Sequence, residues 1–171
     1  QTRVIAEGLR LLRAAGAKHV NAFRAGNFAF NTDTLAALAA NGIAIDSSYN
    51  ACVLGRDSGL RPGEDLNEPL QQGGVLEYPV TVYRDGTGRL RPMQITACAW
   101  VEMEDLLWKA LEAGRNSVVI VSHGFELLDA SRRRLDPVAL RRFCSLCDFL
   151  ARHRDSFRAC ALPQLPVHRL G

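Results

Sequence analysis

Apolar positions recur along this chain in two rhythms, one suited to helices and one to strands. Ile5, Leu9 and Leu12 fall three or four apart, so residues 2–15 read as an amphipathic helix that Gly16 stops. His19-Val20-Asn21-Ala22-Phe23 reads as a strand and runs into Arg24-Ala25-Gly26-Asn27. Asn31-Thr32-Asp33 supplies N-cap chemistry for a helix at 32–41, with Leu35 and Leu38 on one face and Asn41-Gly42 as its end. The short run Ile43-Ala44-Ile45 delivers Asp46-Ser47-Ser48. Further on, Val118-Val119-Ile120-Val121 is too short for a helix and suits a strand buried on both faces; it ends in Ser122-His123-Gly124.

Between these segments the pattern changes. Residues 50–73 are rich in Gly, Pro, Asp, Glu and Gln and read as one long loop. Residues 75–83 read as a strand, 84–88 as a turn and 90–97 as the return, making a hairpin over 75–97. Pro79 and Pro92 confine those strands to an edge or a bulge. A helix at 101–113 carries Leu106, Leu107, Ala110 and Leu111 and stops at Gly114. Asp136-Pro137 starts another that runs to about 153, and 157–162 is a last candidate strand. No internal repeat is visible. Helices alternating with continuous apolar strands predict an α/β fold with a largely parallel sheet, a barrel or part of one, over a single domain of 171 residues.

Three of the predicted strands end in an ionisable residue: Arg24, Asp46 and His123. In (β/α) barrels chemistry collects at the C-terminal strand ends. Imidazole titrates nearest neutrality, so His123 is the natural proton donor or acceptor.

Composition narrows the partners. The net charge of +3 is small, and the run Arg132-Arg133-Arg134 has no interleaved aromatics for stacking bases, which argues against nucleic acid. No apolar stretch approaches the roughly 20 residues that cross a bilayer. There is no initiator Met or signal-like leader, and Gln1 directly precedes a predicted helix, so the chain reads as cut from a longer one. Five cysteines at irregular spacing form no disulfide framework and point toward a reducing compartment such as the cytoplasm, without fixing a location. Cys144 and Cys147 form a C-x-x-C inside a predicted helix, on the side of Leu140, Phe143 and Leu150, and read as core cysteines.

The order Phe23-Arg24-Ala25-Gly26-Asn27-Phe28, Thr34-Leu35 through Gly42, Asp46-Ser47-Ser48 and Val121-Ser122-His123 resembles the polysaccharide deacetylases with a NodB-homology domain, across about residues 1–163. The resemblance implies a distorted (β/α) barrel, incomplete here at its N-terminus and carrying the hairpin as an insertion. It implies removal of N- or O-acetyl groups from carbohydrate with a divalent metal, often zinc. The family's Asp-Asp pair and His-x-x-x-His, which supply base and metal ligands, are absent: no Asp-Asp dipeptide occurs and none of the four histidines stands four residues from another. The chain therefore resembles the C-terminal portion of such a domain, with the metal ligands outside it, and on its own is expected to be inactive.

Residue by residue, Arg24 matches the arginine of the family's Arg-x-Pro-Tyr motif, which pairs with the catalytic aspartate. Gly26 stands where proline is usual and Asn27 where an aromatic is usual; the resemblance implies that the Asn27 N–H would still take the oxyanion role and that Phe28 would belong to the segment that meets substrate. The resemblance implies that Val121, where leucine is usual, would line the acetate pocket and that His123 would protonate the leaving group. Asp46 falls at a motif of the form Asp-x-x-Asp-Trp that is not intact here, and Trp100 fits core packing better than the missing tryptophan's place.

Other readings are a non-catalytic carbohydrate-binding or regulatory relative, and a glycosidase using Glu77 and Glu126, which needs two carboxylates about 5–9.5 Å apart. No G-x-S-x-G occurs, which argues against a serine hydrolase of that type. His19, His153 and His168 read as structural or surface residues: a strand start, a helix end and the tail.

Overall fold

The computed structural model describes residues 1–165 and shows a mixed α/β protein; His168 lies outside the described residues. The described residues divide into two compact units, 1–80 with 161–165, and Thr81–Cys160.

The first unit opens with helix α1 (Thr2–Ala14), followed by strand β1 (Ala22–Phe23), helix α2 (Thr32–Ala40) and strand β2 (Ile45–Asp46). Strands β3 (Leu70–Gln72) and β4 (Val75–Glu77) complete a sheet in the order β1-β2-β4-β3. β1, β2 and β4 run parallel, with Phe23 opposite Asp46 and Asp46 opposite Glu77; β3 closes the edge antiparallel. β1–α2–β2 is thus a parallel crossover through a helix, the connection such strands require. α2 starts where Asn31 predicts: its Oδ1 accepts the Thr34 N–H at 3.0 Å while the Asn31 N–H donates to Thr34 Oγ1 at 3.1 Å, a reciprocal capping box. Leu35, Ala37 and Leu38 are buried from it. In α1 only Leu9 is buried; Leu12, expected on the packed face, is exposed along with Val4 and Leu11.

The expected long loop over 50–73 is ordered by its own backbone. Asn50 is fully buried and its carbonyl accepts from Val53 and Gly55, while Asn50 Oδ1 accepts from Cys52 N–H at 3.0 Å. A 3-10 turn at Gly55–Asp57 follows, and the segment ends in β3 rather than in coil. Tyr49 is buried beside it and its hydroxyl donates to the Glu64 carbonyl at 2.6 Å.

The expected hairpin over 75–97 is replaced by two separate pairings. β4 belongs to the first unit's sheet, and the hairpin proper is β5 (Val82–Arg84) with β6 (Leu90–Pro92), in the second unit. The division falls where partners change: the Val80 N–H donates to Tyr49 O, whereas the Thr81 N–H donates to Val119 O. Pro92, without an N–H, closes the last pair of the hairpin, opposite Val82.

The second unit continues with helices α3 (Trp100–Glu112) and α4 (Pro137–Arg152). Asp136 caps α4 by accepting from the N–H groups of Val138 and Ala139 at 2.8 and 3.0 Å, with Pro137 at the first helical position. Met93, Ile95, Cys98, Met103, Leu107, Leu146 and Phe149 form the core, with Trp100 packed against it as expected. Phe149 meets the Trp100 and Trp108 rings edge-on at 5.7 and 5.4 Å, and its burial contributes about 1.5–3 kcal/mol.

Three expectations are corrected here. Residues 118–121 are extended but make no regular strand. Val119 exchanges bonds with Thr81, and Val121 bridges Gln94 as one isolated parallel pair, because the chain enters a turn directly after Gln94. Residues 157–162 form no strand: Phe157 packs on Trp108, and a 3-10 turn begins at Leu162. Cys144 and Cys147 are exposed, because the buried stripe of α4 runs through Ala139, Leu146 and Phe149 and leaves both thiols outside it. The sheets are open, so no closed barrel forms among the described residues.

Candidate functional site

In the first unit the chemistry gathers at the carboxyl ends of β1, β2 and β4. Arg24 leaves β1 and lays its guanidinium on Ser47: Nε donates to the Ser47 carbonyl and Nη2 to Ser47 Oγ, both at 2.8 Å. Ser47 Oγ donates in turn to the Tyr78 carbonyl at 2.8 Å, and the Ser47 N–H donates to Phe23 O at 3.0 Å. Beneath lie two fully buried carboxyl groups, Asp46 and Glu77. Asp46 Oδ1 accepts from Ser48 Oγ at 2.7 Å, and Glu77 Oε1 accepts from the Tyr49 N–H at 3.0 Å. Their remaining oxygens, Asp46 Oδ2 and Glu77 Oε2, meet no donor group.

Burial, then the neighbouring Asp46 carboxyl, pushes the Glu77 carboxyl up to about 9. Glu77 therefore keeps its proton at neutral pH and can give it to Asp46, which satisfies both orphaned oxygens with one hydrogen. Arg24 feels the opposing pulls of its surroundings: burial lowers its pKa and the charges of Asp46 and Glu77 raise it, with burial the larger effect. Sequence reasoning named Arg24 and Asp46 and missed Glu77 as their companion. The available signal was an acidic residue inside an apolar strand, Val75-Leu76-Glu77-Tyr78. As half of a glycosidase pair Glu77 is unsuited, since it is wholly buried.

Next to Arg24 the backbone turns through a 3-10 segment, Gly26–Phe28, in which Asn27 and Phe28 both take positive φ, 52° and 57°. Two consecutive left-handed residues that are not glycine store strain, of order 1–3 kcal/mol each. The Ala25 N–H is held by Ser48 Oγ at 2.8 Å. The Phe28 and Ala29 N–H groups close the turn onto Ala25 and Gly26 carbonyls, leaving the Asn27 N–H without an acceptor among the described residues.

His123 and Val121 belong to the second unit. Val121 is buried, its N–H donating to Met93 O at 3.0 Å. His123 heads a 3-10 turn, Gly124–Leu127, and its side chain is 55% exposed. Its Nδ1 lies 3.2 Å from Glu126 Oε1, and its N–H donates to Glu126 Oε2 at 3.3 Å. Gln94 Nε2 also donates to Glu126 Oε1. Nε2 of His123 has no partner among the described residues. The Phe125 ring stacks on the imidazole with centroids 5.0 Å apart, and the Arg132 guanidinium lies 5.4 Å from the Phe125 centroid.

Among the described residues no three His, Cys, Asp or Glu side chains cluster so as to hold a metal ion. Asp46 and Glu77 are the one buried acidic pair among them, and burial beside Asp46 keeps the Glu77 carboxyl protonated at neutral pH, so the residues present do not fit a divalent metal site. No helix among them is long and apolar enough to cross a membrane. No family model, curated protein or solved structure matches this chain.

Proposed function

We propose that this chain carries the oxyanion-binding and proton-donating parts of a hydrolase that removes acetyl groups from N- or O-acetylated carbohydrate. The observation that carries the reading is His123: an exposed imidazole at the end of an apolar segment, with one ring nitrogen tied and the other open. A leaving amine or alcohol needs a proton as the tetrahedral intermediate collapses, and a positioned imidazole supplies it. The Asn27 N–H, without an acceptor among the described residues and in a left-handed turn at an exposed position, is the donor for the developing oxyanion. Arg24 fixes that turn through Ser47, and Asp46 with protonated Glu77 acts through Arg24 rather than on substrate. Phe28 and Val121 take substrate-contact roles in this reading. Water activation is assigned to none of these residues.

The reading carries with it a distorted (β/α) barrel in which β1–α2–β2 is one strand–helix–strand step, and a parent protein supplying the rest of the site. Acetate release from N-acetylated chito-oligosaccharide and O-acetylated xylo-oligosaccharide by the full-length protein tests it. His123→Ala is expected to lower the rate about 10²- to 10⁴-fold, and the 171-residue chain alone is expected to release none. Unchanged turnover in His123→Ala overturns the proposal. Sugar binding without acetate release by the wild type favours a non-catalytic carbohydrate-binding relative.

A further inference from the structure

Glu126 makes an arrangement that only a carboxylate can satisfy. Its side chain is 11% exposed, and three groups converge on its two oxygens. Oε2 accepts from the His123 backbone N–H at 3.3 Å; Oε1 accepts from Gln94 Nε2 and lies 3.2 Å from His123 Nδ1. A backbone amide and a side-chain amide nitrogen can only donate, and an ionised carboxylate can only accept. The third contact is favourable only when Nδ1 also carries a hydrogen.

We infer that Glu126, clamped by Gln94, is a positioning residue that holds His123 in the Nδ1–H tautomer and so makes Nε2 the atom that exchanges protons. This deepens the deacetylase reading and rests on it for its catalytic meaning, though the tautomer itself does not. With Nδ1–H fixed, the neutral ring offers an Nε2 lone pair outward, and the charged ring offers an Nε2–H along the same line. The supports are rigid. The turn closes through the Glu126 N–H donating to His123 O at 2.9 Å. The Gln94 carbonyl accepts from Ala97 and Cys98 N–H at 3.0 and 2.9 Å, and Gln94 pairs with Val121 two residues before the histidine. Phe125, stacked 26° from the imidazole plane, resists rotation of the ring.

A glutamine side chain in place of Glu126 cannot replace the carboxylate. If its oxygen faces the His123 N–H, its NH₂ donates to Nδ1, with the Gln94 amide turned to accept, and this forces the other tautomer. If reversed, its NH₂ opposes the His123 N–H.

Long-range proton–nitrogen NMR of the imidazole, on the 171-residue chain at roughly pH 8.5 where an ordinary histidine is neutral, reads the tautomer directly. The wild type is expected to show Nδ1–H almost alone, and Glu126→Gln to lose about half of it or more. A wild-type ring carrying its hydrogen on Nε2 overturns the inference without recourse to any variant, as does an unchanged tautomer in a folded Glu126→Gln. In the full-length protein, Glu126→Gln is expected to lower kcat about 10- to 100-fold, as lost outer-shell partners do, with KM unchanged. The Nδ1–H tautomer without any acetate release removes the deacetylase reading and leaves the positioning role standing. Acetate release with an Nε2–H ring does the reverse.

Discussion

Asp46 and Glu77 face one another across the parallel pairing of β2 and β4, both fully buried, each with one carboxyl oxygen that meets no donor. One proton serves both, and the fold therefore binds a proton that the unfolded chain gives up.

The consequence for stability has a definite sign. The Glu77 carboxyl, ordinarily at 4.5, sits at about 9 in the fold. Between those values the folded state holds one proton more, so its contribution is fully present below 4.5 and falls as pH rises toward 9, by on the order of 1 kcal/mol per pH unit at most. Glu77→Gln keeps both bonds, accepting from the Tyr49 N–H and donating to Asp46, and removes the titration. Denaturant unfolding at about pH 5, 7 and 8.5, spanning the window between the two pKa values, should show the Glu77→Gln variant gaining on the wild type as pH rises. A difference that does not change with pH would refute the shared proton.

Gly55 should tolerate no side chain. A Cβ there would lie 2.8 Å from the N, C and O atoms of Asn50, backbone that cannot step aside without breaking the bonds that order the loop. Gly55→Ala is expected to cost about 1–3 kcal/mol and to increase proteolysis within 50–73. Equal stability by thermal unfolding would show that the loop is not held as described.

Asn27 makes the opposite case. Its φ of 52° suits glycine, asparagine tolerates it, and alanine does not. Asn27→Gly should be neutral or slightly stabilising and Asn27→Ala destabilising by about 1–2 kcal/mol. If the Asn27→Ala variant unfolds at the same temperature as the wild type, the left-handed turn is not populated in solution.

Thiol labelling separates the cysteines. Cys144 and Cys147 are exposed, Cys52 and Cys160 half-buried, and Cys98 is buried with its thiol pushed up chiefly by that burial. Iodoacetamide followed by peptide mass spectrometry should modify Cys144 and Cys147 first and Cys98 only on unfolding. Early loss of the Cys98 thiol would contradict the core.

The helices were legible because their signals are local. Asn31 and Asp136-Pro137 mark helix starts within a few residues of the bonds they make. The strands were less so: an apolar run such as 118–121 reports burial, not the partner that turns an extended segment into a ladder. The Asp46–Glu77 pair joins two distant parts of the chain through register alone, a relation that no pattern along the sequence encodes. Conversely, Glu126 stood three residues from His123 in plain view, and only the 3-10 turn reveals why that spacing matters. The cysteines of α4 were misread because spacing on a helix fixes which residues share a face, not which face is packed.

Ser47 commits every polar atom it owns: its N–H to Phe23, its carbonyl and hydroxyl to Arg24, and the hydroxyl again to Tyr78. Alanine would remove the hydroxyl that serves the Tyr78 carbonyl and one arm of the guanidinium, and threonine would add a methyl group at a fully buried position. The position therefore admits almost no mutational neighbour. A change in what meets Arg24 is accordingly easier to make in the exposed turn that follows it than at the serine beneath.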